Sequence, residues 1–129
     1  MTDHELHTIL RIGENDKVEF KSSFNNELIE SLVAFANTSG GAVIVGINQK
    51  NEIAGVKLHE ETAQNWINEI KNKTRPSLVP DIDICSYQDK TVVIFTVHEY
   101  PIKPVETRGK YYKRVTNSNH LLSPNEIAK

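Results

Sequence analysis

NNELIESLVAFANTSGGAVIVGI, residues 25–47, is the stretch on which the fold turns. Leu28, Leu32, Phe35 and Ala36 fall on one side of a helix, with Ile29 and Val33 beside them. So wide an apolar face belongs to a helix buried between a sheet and other elements, and Asn25 or Asn26 can cap its start. Ser39-Gly40-Gly41 ends the helix, and the β-branched run Val43 to Ile47 begins a central strand. Asn48-Gln49-Lys50-Asn51 then reads as a hairpin-like turn into EIAGV, which predicts an antiparallel pair over 42–56.

Toward the N-terminus, KVEFKS alternates about Val18 and Phe20, a short strand that puts Glu19 and Lys21 on the face opposite those apolar side chains. Ile12-Gly13 breaks it from an opening helix over 3–10, where Leu6, Ile9 and Leu10 share a face. In the other direction, Glu60 to about Lys73 is a second main helix with Ala63, Trp66, Ile67 and Ile70 as its inward stripe. Pro76 and Pro80 bound a loop, and DIDICSY and TVVIFTV, parted by Gln88-Asp89-Lys90, form a hairpin. KYYKRV follows the Pro101/Pro104 loop as a last, exposed strand, and Ser123-Pro124-Asn125-Glu126 starts another helix. The packing solution is an α/β fold of α+β character: a mixed, largely antiparallel sheet of about five or six strands with two main helices. Residues 1–129 read as one domain, and a final helix that barely begins suggests a module of a longer protein.

Composition narrows the function. A chain of 129 residues can build a core without disulfide or metal support. With a single cysteine, Cys85, there is neither an intrachain disulfide nor a thiolate metal cluster. The N-terminus lacks a signal-peptide pattern and the apolar runs are too short to cross a bilayer, so the default compartment is the cytoplasm and no membrane partner is expected. A net charge of −2 argues against a sequence-independent DNA coat. Seven of the fifteen lysines and arginines nonetheless fall in two stretches, Lys17 and Lys21 in one and Lys103, Arg108, Lys110, Lys113 and Arg114 in the other.

Four clusters can carry chemistry. Glu14 and Glu19 flank a strand entry, where paired carboxylates would share Mg²⁺ or Mn²⁺; a solvated Glu14 and a Glu19 paired with a base is the competing reading. In AFANTSGG, Asn37 can use its amide for a cap or loop hydrogen bond and the glycines can serve a tight helix exit, but no Walker or dinucleotide motif is present. YPIKPVETRGKYYKRV interleaves three tyrosines with five bases, giving stacking surfaces beside phosphate contacts, or a lysine-blunted edge strand. Tyr111 and Tyr112 face opposite sides, so one is exposed while the other packs. The five histidines have no zinc spacing and read as capping or surface residues.

Taken in order, GENDKVEFKSS, SLVAFANTSGGAVIVGINQKNEIAGV, KPV and GKYYKRVTNSN resemble the AlbA_2 domain, also called the Schlafen AlbA_2 or divergent AAA-4 domain, of many prokaryotic proteins classed as transcriptional regulators. The resemblance implies a nucleic-acid-associated module: DNA as partner, with RNA as the alternative. Lys21, Lys103, Lys110, Lys113 and Arg114 would meet phosphates and Tyr111 or Tyr112 would stack. Some eukaryotic Schlafen proteins look like RNA nucleases built on two glutamates and an aspartate. On that alternative Glu14 and Glu19 would be catalytic and hold Mg²⁺ or Mn²⁺, with Asn48 standing where many relatives have Asp; asparagine offers a carbonyl but no charge. The leading reading is a non-enzymatic DNA-binding module without cofactor. A protein-interaction or homodimer domain is the third reading.

Overall fold

The computed structural model describes residues 2–128. Helix α1 (Asp3–Ile12) is capped by Thr2, whose hydroxyl accepts from the Glu5 N–H, and ends at Gly13 with φ 89°. Strand β1 (Val18–Lys21) leads to α2 (Asn26–Ala36), and Asn25 is the residue that caps it. Strand β2 (Gly41–Val45) lies parallel to β1, so β1–α2–β2 is a crossover unit. Helix α3 is Thr62–Lys73, β3 Thr74–Arg75, β4 Asp81–Tyr87 and β5 Lys90–Val97. Short β6 (Glu106–Thr107), β7 (Tyr112–Val115), β8 (Ser118–Leu121) and α4 (Pro124–Ala128) complete the chain.

The main sheet has the order β1-β2-β5-β4, parallel only between β1 and β2. The remaining strands form two smaller antiparallel ladders, β3-β6 and β7-β8. β2 is covered on both faces, which is why its sequence is continuously apolar rather than alternating. Val43 and Val45 point into a core made with α2, Ile70 of α3 and Tyr112 of β7. Ile44 points the other way, to Leu6 of α1, Phe20, Val92 and Ile94. Gly41 permits this closeness: a Cβ there would meet the Phe35 ring at 2.5 Å and the Lys17 carbonyl at 2.8 Å.

Two expectations change. EIAGV is not a strand partner of β2, which is flanked by β1 and β5 instead. Gly46, at φ 109°, ends the strand, and beyond it the two segments meet through an isolated antiparallel Ile47–Ile53 bridge, with the Asn48 N–H donating to the Glu52 carbonyl and the Ala54 and Gly55 N–H groups to the Gly46 carbonyl. KYYKRV is not an exposed edge either. Its last four residues pair with β8 and pack on α2, burying Tyr112 and Arg114. The alternation predicted on β1 holds, but the face opposite Phe20 is covered as well, so Glu19 is buried.

Candidate nucleic-acid interface

At the end of α2, Asn37 ties two distant segments to the helix. Its amide donates to the carbonyls of Val105 and Tyr112, both at 2.9 Å, and its Oδ1 accepts from the Val105 N–H at 2.7 Å. Thr38 continues the seam by accepting from the Arg114 N–H at 2.9 Å. The amide foreseen as a cap or loop contact is thus the clamp that docks β7 and the Lys103 loop.

β7 sends Arg114 inward. Its Nη1 donates to Glu19 Oε1 and to Asn119 Oδ1, both at 2.8 Å, and Nη2 donates to the Asn15 carbonyl at 3.1 Å. The guanidinium carbon sits 4.8 Å from the centre of the Phe35 ring. With its side chain 0% exposed, Arg114 cannot reach a phosphate of a duplex; it is the internal partner of Glu19. Tyr112 is likewise in the core, and burial, followed by its contact with Glu30, raises its phenol above the ordinary value. Tyr111 is the half-exposed tyrosine of the pair.

Glu14 and Glu19 do come together, by a hydrogen bond between their carboxyl groups. Burial and that hydrogen bond push Glu19 up to about 7 against the pull of Arg114. Burial also opposes ionisation of Glu14. The contact with Glu19, the Phe20 N–H at 2.9 Å, Arg114 and Lys21 outweigh it and hold Glu14 below its usual value. The two carboxyls therefore hold one proton between them until pH rises through about 7.

Asn48 lines one cleft of about 320 Å³ with Glu14 and Lys21, but its side chain is committed to its own loop. Oδ1 accepts from the N–H groups of Lys50 and Glu52, both at 2.9 Å, and Nδ2 donates to Glu52 Oε1 at 3.3 Å. One oxygen of Glu14 and one of Glu19 are also taken by protein donors, and the two carboxyls bond to each other. Among the described residues no group of three acidic, histidine or cysteine side chains is placed to hold a metal. The Glu14–Glu19–Asn48 set as arranged does not fit a Mg²⁺ or Mn²⁺ site, which needs free oxygen ligands.

The nominated lysines divide among separate places. Lys103 and Lys113 converge on a cleft of about 400 Å³ with Asn37, Thr38, Pro104 and Leu122. Each has an acid nearby: Glu99 contacts Lys103, and Glu126 lies 2.6 Å from Lys113. Lys113 and the Ser123 N–H bring the exposed Glu126 carboxyl down to about 2. Lys21 lies apart, near the start of α2, 3.6 Å from Glu27 and sharing a basin with Arg108 and Glu30. Lys110 is exposed beside the Arg108-Gly109 turn, where both φ angles are positive (53° and 76°). Sequence reading did not nominate Arg108 for the interface; a positive-φ turn between two short strands, RG flanked by Thr107 and Lys110, was the available signal.

The Lys103–Lys113 cleft is thus the place where nominated cations from separate segments meet, and the Glu19–Arg114 pair is the buried strut behind it, with Glu14 at its exposed end. No helix among the described residues is long and apolar enough to cross a membrane.

No curated protein matches the chain. Solved structures do. The Corynebacterium diphtheriae protein DIP2311 superposes with a TM-score of 0.69 at 20% identity, over 92% of this chain but 26% of that one. The N-terminal domain of a RecG-related protein from Nitrosomonas europaea superposes with a TM-score of 0.63 at 22% identity, over 91% of this chain and 88% of that one. This chain therefore spans about a quarter of the Corynebacterium protein's length, and at these identities the likeness establishes the fold. The sequence profile described as "Schlafen, AlbA_2" matches residues 14–123, nearly the whole of the described fold, and the chain belongs to that family.

Proposed function

We propose that this domain is a DNA-binding module of a transcriptional regulator, acting in the cytoplasm and gripping the nucleic-acid backbone at the Lys103–Lys113 cleft. The observation that carries the reading is the convergence of these two lysines on one cleft, fixed by the Asn37 and Thr38 clamp. Family membership supports it, as does the description of the Nitrosomonas relative as related to the ATP-dependent DNA helicase RecG.

Both ammonium groups are partly exposed and each rests against an exposed or half-exposed acid. Exposed ion pairs of this kind hold little free energy, so a phosphate can replace the carboxylate at modest cost. Tyr111, half-exposed on the strand approach, and Lys110 beside it extend the surface toward bases and further phosphates. Lysine–phosphate contacts position a strand without reading its sequence.

The test is binding of the domain to labelled duplex DNA, single-stranded DNA and structured RNA, with the strands then run on a denaturing gel. The reading expects intact strands, duplex DNA bound best, and weakened binding in Lys103→Gln and Lys113→Gln. Equal binding by the wild type and both variants would remove the cleft from the account. Mn²⁺-dependent shortening of the strands, lost in Glu14→Gln, would place metal chemistry at the carboxylate pair instead.

A further inference from the structure

β4 is the free edge of the main sheet. It runs for seven residues, Asp81–Tyr87, and pairs with β5 without a bulge. Among the described residues, no other backbone segment bonds to it. It has no lysine or proline, two of the usual guards of an exposed edge. Ile84 stands at its middle and is 54% exposed, a large apolar side chain left in water.

The hairpin fixes which backbone groups face outward. Gln88 and Asp89, with φ of 47° and 65°, form a two-residue turn, so Tyr87 and Lys90 are the closing hydrogen-bonded pair. Alternation then turns the N–H and C=O of Ile82, Ile84 and Ser86 away from β5. The same parity leaves the Thr91 carbonyl pointing away from β4, where it accepts from the Val56 N–H at 2.8 Å.

We infer that β4 is a self-complementary edge, and that a second copy of this chain pairs with it antiparallel about Ile84 to make one continuous eight-stranded sheet. The occupant is chosen by register. Centred on Ile84, all seven residues pair: Ile84 meets Ile84, Ile82 meets Ser86, Asp83 meets Cys85 and Asp81 meets Tyr87. No two acids stand opposite each other, and the outward-facing groups meet their like as hydrogen-bonded pairs. Sliding one step in one direction opposes Asp83 to Asp83, which like charges disfavour. Sliding one step in either direction also shortens the ladder from seven pairs to five. Asp83 thus acts as a register selector, and the exposed Ile84 is covered by its own counterpart, as a two-fold interface requires.

Sedimentation velocity on wild type and Ile84→Lys, joined to amide hydrogen exchange, tests this. The expected result is a wild-type mass that climbs from 14.6 kDa toward twice that value with concentration, and an Ile84→Lys variant that stays at 14.6 kDa. The amides of Ile82, Ile84 and Ser86 should exchange quickly in dilute protein and slow as concentration rises. Because Ile84 is exposed, lysine there leaves the fold intact, and an unchanged far-UV circular dichroism spectrum checks it. A wild type that remains at 14.6 kDa up to ~1 mM, the weak limit of a small interface, overturns the inference. So does an Ile84→Lys variant that still doubles in mass, or a dimer in which those three amides gain no protection.

Discussion

Replacing Arg114 with alanine tests the interior role assigned to it. Three hydrogen bonds go, to Glu19 Oε1, Asn119 Oδ1 and the Asn15 carbonyl, together with the contact on Phe35. The Glu19 carboxyl is left behind in a buried position beside Glu14. Losing one partner of a buried pair costs about 3–5 kcal/mol. That is a large part of the ~5–15 kcal/mol of a typical domain. The loss must also depend on pH. With Glu19 protonated, the cation is missed less; with both carboxylates ionised, two negative charges face each other without it. Urea denaturation at about pH 8 should show the larger deficit and at about pH 5.5 the smaller one. Should the alanine variant fail to fold, Glu19→Gln/Arg114→Met supplies the second measurement, because it removes both charges and should recover most of the stability. A loss below about 1 kcal/mol, or one equal at both pH values, would refute the buried strut.

Glu19→Gln alone isolates the shared proton. Because the folded value of Glu19 is raised to about 7, its contribution is full below the ordinary carboxylate range and lost as pH rises through about 7. At 1.36 kcal/mol per unit this is at most about 3 kcal/mol, reduced by solvent screening, and a urea midpoint series should show that decline flattened in the variant. Glu14, held low, works the other way: its contribution is lost on acidification, so Glu14→Gln should blunt the acid limb of the same series. Asn37→Ala removes three clamp bonds and should cost about 1–3 kcal/mol in chemical denaturation while loosening the Lys103 loop; an unchanged midpoint would deny the clamp. Glu126→Gln frees Lys113 and should tighten duplex DNA binding by about two- to fivefold in fluorescence anisotropy, an effect absent in a Lys113→Gln background.

The elements that declared themselves in sequence have strong local patterns. Asn25 followed by the broad 28–36 apolar face, and the two apolar runs on either side of Gln88-Asp89, needed no tertiary information. The two-residue β3 and β6 were too short to produce any period. β7 was read as an edge because alternation reports which residues share a face, not whether that face is covered. Arg114 finds Glu19 across 95 residues of chain, so two apparent surface charges are in fact a buried pair. The spacing of Glu14 and Glu19 across one strand entry left open both a shared site and a Glu19 paired with a base; the structure has Glu19 paired with Arg114, with the exposed Glu14 carboxyl against it. The commitment of Asn48 was not, because it depends on the loop conformation that brings the Lys50 and Glu52 amides to its oxygen.

The salt dependence of duplex DNA affinity, compared between wild type and Lys103→Gln/Lys113→Gln, bears most directly on the cleft. Each phosphate neutralised on duplex DNA contributes about 0.9 to the slope of log affinity against log salt. The double variant should therefore bind more weakly at low salt and with a slope shallower by roughly 2. Equal affinity and an unchanged slope would contradict the assignment of the Lys103–Lys113 cleft as the backbone grip.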